Sequence, residues 1–135
     1  MTGPRSLRFM VGEGRTALAV AVEDTGQGFV VTVCGGDRPH VGTVVLAQPR
    51  PSLADPARLS ATSTCVPLLG HQEEALVRPV AEFLARAFGV PAAVVGGVHL
   101  EGARPEDLSA VTGLVPRLCE ELARRIHEIH REEQA

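Results

Sequence analysis

The stretch "TALAVAVEDTGQGFVVTVC" (residues 16–34) decides how the chain folds. Two runs of small or β-branched apolar residues flank Asp-Thr-Gly-Gln-Gly, a cluster of turn formers. Runs of that kind around such a turn pair as an antiparallel hairpin. Working outward, "SLRFMV" (6–11) alternates and reads as a short strand before the hairpin. "GGDRP" (35–39) makes the next turn, and "HVGTVVLAQ" (40–48) reads as a further strand. "PRPSLADP" (49–56) reads as a proline-rich surface loop, and "LSATSTCVPL" (59–68) as a fifth strand with a Ser/Thr-rich face. Strands joined by short turns pair antiparallel, so the first four are expected to do so in succession.

The second half turns helical. From Glu73 to Phe88 the apolar residues Leu76, Val80, Phe83, Leu84 and Ala87 recur at helical spacing, and Gly89 ends the run. Pro79 places the regular helix start near Ala75 or Leu76, or kinks the helix. "VPAAVVGGVHL" (90–100) is a continuous apolar run, as expected of a central strand covered on both faces. Pro105, Glu106 and Asp107 suit a helix start. Leu108, Val111, Val115, Leu118, Leu122, Ile126 and Ile129 then keep the helical period, with a bend expected at Pro116. The tail "HEIHREEQA" (127–135) reads as solvated or frayed. The order β-β-β-β-β-α-β-α implies a compact α+β sandwich. It is a mainly antiparallel sheet with two helices from the C-terminal half on one face, formed by residues 1–135 as a single domain.

Composition narrows the function. At 135 residues, 44% hydrophobic and net charge −3, the chain can bury a core without disulfide or metal staples. No apolar run approaches the roughly 18 residues of a membrane span. The N-terminus lacks the basic-then-apolar layout of a signal peptide, so a cytoplasmic location is expected. Cys34, Cys65 and Cys119 are widely spaced and read as reduced thiols. All 13 basic residues are arginine, which excludes a Schiff-base lysine and the lysine of a phosphate loop. The arginines are scattered among more numerous acids, so no nucleic-acid footprint is visible. With Trp and Tyr absent, any stacking on an aromatic ligand falls to Phe, His or Arg.

Three histidines stand at element boundaries. In "GGVHLEGARPED" (96–107), His99 and Glu101 point the same way from a strand end, just before a helix start that favours anions. "GHQEE" (70–74) repeats the layout with His71, Glu73 and Glu74, although acids at a helix start also arise simply to complement the dipole. "GGDRPHVG" (35–42) puts Arg38 and His40 in a turn that starts a strand. An antiparallel strand begins beside its neighbour's end, so His40, His71 and His99 are candidates for one rim. The set suits a divalent metal, with Glu101 adding an oxygen ligand. It equally suits a phosphate, with Arg38 and Arg78 as anchors. The plain alternative is histidines that hydrogen-bond nearby turns. His127 and His130, three apart on the last helix, read as part of a solvated tail.

"PHVGTVVLAQPRP" followed by "SATSTCVPLLGHQEEALVRPVAEFLARAFGVPAAVVGGVHLEGARPEDL" resembles the prenylated-flavin chaperone (LpdD-like) family. These are small accessory subunits of UbiD-type hydroxyarylic acid decarboxylases. The resemblance runs from about Arg38 to Ile129. It rests on the order of three motifs: His40-Val41-Gly42, Gly70-His71-Gln72-Glu73 and Gly97-Val98-His99-Leu100-Glu101. Glu101 stands where aspartate is frequent. Gln72 stands where lysine is frequent, which weakens any phosphate contact assigned there. The resemblance implies a non-catalytic protein that binds prenylated FMN, made by a flavin prenyltransferase, and passes it to an apo-decarboxylase. His40, His71, His99, Glu101, Arg38, Glu73 and Glu74 would then be the cofactor-binding residues. It also implies a fold similar to proteasome-assembly chaperones and a homodimer.

Overall fold

The computed structural model describes residues 3–38, 40–68 and 73–134. Six strands form one sheet: β1 (Arg5–Val11), β2 (Leu18–Asp24), β3 (Phe29–Gly36), β4 (Thr43–Pro51), β5 (Leu59–Pro67) and β6 (Ala92–His99). Helix α1 (Glu74–Phe88) precedes β6, and α2 (Pro105–Thr112) and α3 (Val115–Gln134) follow it. The class is the α+β one expected, with a mainly antiparallel sheet.

The hairpin forms around Thr25–Gly28, closed by the Thr25 N–H donating to the Gly28 carbonyl at 3.0 Å, with Gly26 at φ +90°. β1 and β2 pair antiparallel, as do β2 and β3. The succession then breaks. The strand order is β1-β2-β3-β6-β4-β5, so β3 and β4 are not neighbours. β6 lies between them, parallel to β3 and antiparallel to β4. A continuous Ala/Val run without charge is the segment best suited to that central place.

Two expected boundaries move. β4 begins at Thr43 rather than His40, and it runs on through Pro49 and Pro51, read above as loop. The prolines are tolerated because β4 pairs with β6 only over Thr43–Ala47. Beyond Ala47 its only neighbour in the sheet is β5, so a missing N–H leaves no ladder bond unmade. The last helical stretch divides at Gly113–Leu114 instead of bending at Pro116, which falls in the first turn of α3 where its missing N–H costs nothing. Pro79 lies inside α1, which starts at Glu74.

The helices cover one face. Alternate residues Leu18, Val20 and Val22, Phe29, Val31 and Val33, Val45 and Ala47, and Ala92 and Val94 point into a core with Leu76, Val80, Leu84, Leu118, Leu122 and Ile126. The tail is not frayed. His130 Nε2 lies 2.9 Å from Asp24 Oδ2, His127 packs on Phe88 with ring centroids 5.0 Å apart, and Arg5 pairs with Glu133 at 2.7 Å. Arg125 lies over the Phe9 ring at 4.4 Å. The opposite face of β6, carrying Ala93 and Val95, has no element over it among the described residues, against the expectation of cover on both faces.

Candidate functional site

The rim lies where β6 ends and β4 begins. Antiparallel pairing sets Thr43 opposite Gly96, and the Gly42 N–H donates to the Gly96 carbonyl at 2.8 Å. The segment carrying His40 therefore crosses the end of β6. It passes so close that a Cβ on Gly97 would overlap the His40 carbonyl and sit 3.1 Å from the Gly42 nitrogen. Gly42 has a similar role toward α1: a Cβ there would fall 2.5 Å from Glu73 Oε2. These two glycines let a strand end, a loop and a helix start meet.

His40 is held between two acceptors. Its Nδ1 lies 3.1 Å from the Arg38 carbonyl and its Nε2 lies 3.3 Å from Glu73 Oε1. Both nitrogens face oxygen atoms of the protein. The Glu73 side chain is only 12% exposed. The His99 ring stands 6.1 Å from that of His40, nearly edge-on, and its Nε2 is 3.3 Å from Glu101 Oε1. Arg38 makes an ion pair with the same Glu101 oxygen.

Residues not singled out by the sequence fix Glu101 in place. Its N–H donates to Asp37 Oδ2 at 2.8 Å and its carbonyl accepts from Arg15 Nη2 at 2.7 Å. Arg15 and Asp37 are themselves paired at 3.0 Å. The Asp37 N–H donates to the His99 carbonyl at 2.7 Å, tying the end of β3 to the end of β6. Asp37 adjoins the Arg38 motif, but its partners on β6 and beyond lie far along the chain and no local pattern marks them.

Four predicted residues thus converge with Glu73: His40, His99, Glu101 and Arg38. Glu74 does not join them. It pairs with Arg78 at 2.6 Å, and Arg78 also donates to Ser63 of β5, so both serve the packing of α1 on the sheet edge. Successive helical side chains diverge by about 100°, so Glu73 and Glu74 cannot both face the rim. His71 lies outside the described residues. Among the described residues no group of three or more His, Cys, Asp or Glu is placed to hold a metal ion, so the metal reading gains no support.

The start of α2 is also satisfied from within. Asp107 accepts from the Arg104 N–H at 3.0 Å in a capping box. That bond holds the Asp107 carboxyl below its ordinary range. A bound anion would have to displace it.

Behind the rim opens a cleft of about 280 Å³. Leu76, Val98, Leu100, Leu108 and Val111 make it apolar, and Glu73 stands at its mouth, shared with the rim. The site therefore offers an apolar slot and a polar edge carrying the His40 and His99 imidazoles, the Asp37, Glu73 and Glu101 carboxylates and the Arg15 and Arg38 guanidiniums. Such a site binds an amphipathic molecule with an apolar body and a charged group.

The comparisons with known proteins define the class. Residues 12–127 match the family described as the prenylated flavin chaperone LpdD-like domain. The chain belongs to that family. No curated protein sequence matches it. Its fold is similar to that of a chain in the crystal structure of a novel chaperone complex for yeast 20S proteasome assembly. The TM-score is 0.60 and the identity 14%, over 92% of this chain and 98% of the other. No helix among the described residues is long and apolar enough to cross a membrane.

Proposed function

We propose that this protein binds prenylated FMN without transforming it and delivers it to a UbiD-type decarboxylase in the cytoplasm, after its synthesis by a flavin prenyltransferase. The observation that carries this reading is the union of cleft and rim through Glu73. The cleft suits part of an apolar ring system, and its volume lies at the small end of ligand pockets, so the remainder of a flavin-sized molecule lies along the rim. None of the described residues lining the cleft is aromatic, which leaves His40 and His99 as the stacking surfaces. Arg38, with a side chain 73% exposed, is an accessible cation for a phosphate. It is already paired with Glu101, so a phosphate exchanges one anionic partner for another. Such an exchange supports moderate affinity and release, as a carrier requires. The three cysteines are free thiols, as befits a reducing compartment.

The test is anaerobic titration with prenylated FMN, followed by transfer to an apo-decarboxylase. The expected result is a saturable spectral change and faster activation of the enzyme. His99→Ala should weaken binding about tenfold, equivalent to about 1.4 kcal/mol. No spectral change together with no effect on enzyme activation overturns the proposal.

A further inference from the structure

The cleft behind the rim has a dry floor and a wet mouth. The floor is Leu76, Leu100 and Val111, all buried. The mouth lies between the first turn of α1 and α2, where Ala75 and Leu108 line it and stay open to water. Leu108 is 58% exposed, a large apolar side chain left in water on the wall of a cavity. A ligand that fills the mouth covers this side chain, and that burial is a source of affinity which the polar rim does not supply.

Hydrogen bonding decides which edge of a flavin enters. Among the described residues lining the cleft, only Glu73 and Thr112 carry polar side chains. The Thr112 hydroxyl lies 3.1 Å from the Leu108 carbonyl and 3.3 Å from the Ser109 carbonyl, so its proton stays within its own helix. Glu73 is engaged with His40 at the mouth. The pyrimidine edge of a flavin carries carbonyls and an N–H, which would lose water there without replacement, so that edge stays at the rim. The benzenoid edge carries only methyl groups and loses nothing. In prenylated FMN the five-carbon prenyl unit is closed into a non-aromatic ring beside that same edge. A volume of about 280 Å³ holds on the order of nine non-hydrogen atoms at roughly 30 Å³ each. That is too few for the whole flavin tricycle and enough for the prenyl ring with the methyl edge beside it. The apolar walls are aliphatic throughout, which suits a puckered aliphatic ring. A planar aromatic ring gains most from other ring faces, and none of the described lining residues supplies one.

We infer, on the cofactor reading above, that this cleft is what separates prenylated FMN from FMN: it receives the prenyl-bearing edge, and Leu108 of α2 covers the prenyl ring. Each methylene moved out of water strengthens binding about fourfold. The prenyl carbons, about half covered in a cleft open on one side, give a preference of about 30-fold. FMN reaches the same rim but leaves the mouth of the cleft wet.

The test is anaerobic equilibrium dialysis of the whole chain against prenylated FMN and against FMN in the same reduced state. Wild type should bind prenylated FMN about 30-fold more tightly than FMN. Leu108→Ala removes the covering side chain from an exposed position, so circular dichroism and melting temperature should stay at wild-type values. It should weaken prenylated FMN about tenfold and FMN less than about twofold, leaving a preference of only about fivefold. Leu108→Met, apolar and close in volume, should restore the preference. Equal binding of the two flavins by wild type overturns the inference and leaves the cofactor assignment standing. A preference unchanged in Leu108→Ala overturns the placing of the prenyl ring in this cleft. Binding of neither flavin overturns the inference together with the proposed function.

Discussion

Gly97→Ala probes the construction of the rim without touching any of its side chains. An added Cβ would overlap the His40 carbonyl oxygen and stand 2.5 Å from its carbon. The oxygen is the closer atom, 1.6 Å away against about 3.2 Å for an unstrained contact, so roughly 1.5 Å of backbone movement is required. The strand is held on both edges, by β3 and by β4, whereas His40 belongs to a connecting segment. The segment therefore yields, and because the clash is with backbone the cost should fall at the high end of the usual overpacking range, about 3 kcal/mol. For a chain of this size that lowers Tm by about 12 °C. The same displacement parts His40 from Glu73, now 3.3 Å apart, and should weaken prenylated FMN binding at least about tenfold. Gly96→Ala is the control. Its Cβ would overlap the Val77 side chain in the core on the other face, costing stability while leaving the His40 carbonyl untouched. Melting curves, imidazole proton resonances and the anaerobic titration read the three effects separately. A Gly97→Ala protein with wild-type Tm, unmoved His40 resonances and undiminished affinity refutes the account of how the rim is built.

Four further outcomes follow from packing and charge. Leu122, fully buried among the strands and α1, should cost about 3 kcal/mol when replaced by Ala, a Tm loss of roughly 12 °C in a thermal melt. Burial pushes the Cys119 thiol up to about 11 from an ordinary 9.0, so at neutral pH it should alkylate about 100-fold more slowly than an ordinary thiol in iodoacetamide mapping. A raised thiol pKa also means the unfolded chain loses its proton first. Stability should therefore fall as pH rises from about 9 to 11, and Cys119→Ser should remove that slope. Asp107 has the opposite sign. Its pKa is lowered by the Arg104 N–H, so its stabilisation of α2 is complete above about pH 4 and lost as pH falls through the folded value. Hydrogen exchange at the start of α2 should accelerate on acidification, and Asp107→Asn should flatten that response.

Much of the architecture was legible along the chain. The hairpin of residues 16–34 announced itself by its turn, the strand at 92–99 by its uninterrupted apolar run, and the helices by their period. The site was legible in part. His40 and His99 were brought together for the reason their places suggested: a strand start lies beside an antiparallel neighbour's end. The identity of that neighbour was not legible. Glu73 and Glu74 are adjacent letters of similar chemistry, and only the direction of each side chain from α1 separates the one that meets His40 from the one that meets Arg78.

Local pattern thus specifies elements, because periodicity and turn chemistry act over a few residues. Pairing partners are a matter of long-range competition for the middle of the sheet. β6 won that place between β3 and β4, although it comes last among the strands, because an uncharged Ala/Val strand gains most from neighbours on both edges. Its insertion sets the end of β3, the start of β4 and the end of β6 side by side. That juxtaposition gathers Asp37, His40 and His99 at one rim, with Glu101 just beyond, and no stretch of sequence read alone contains it.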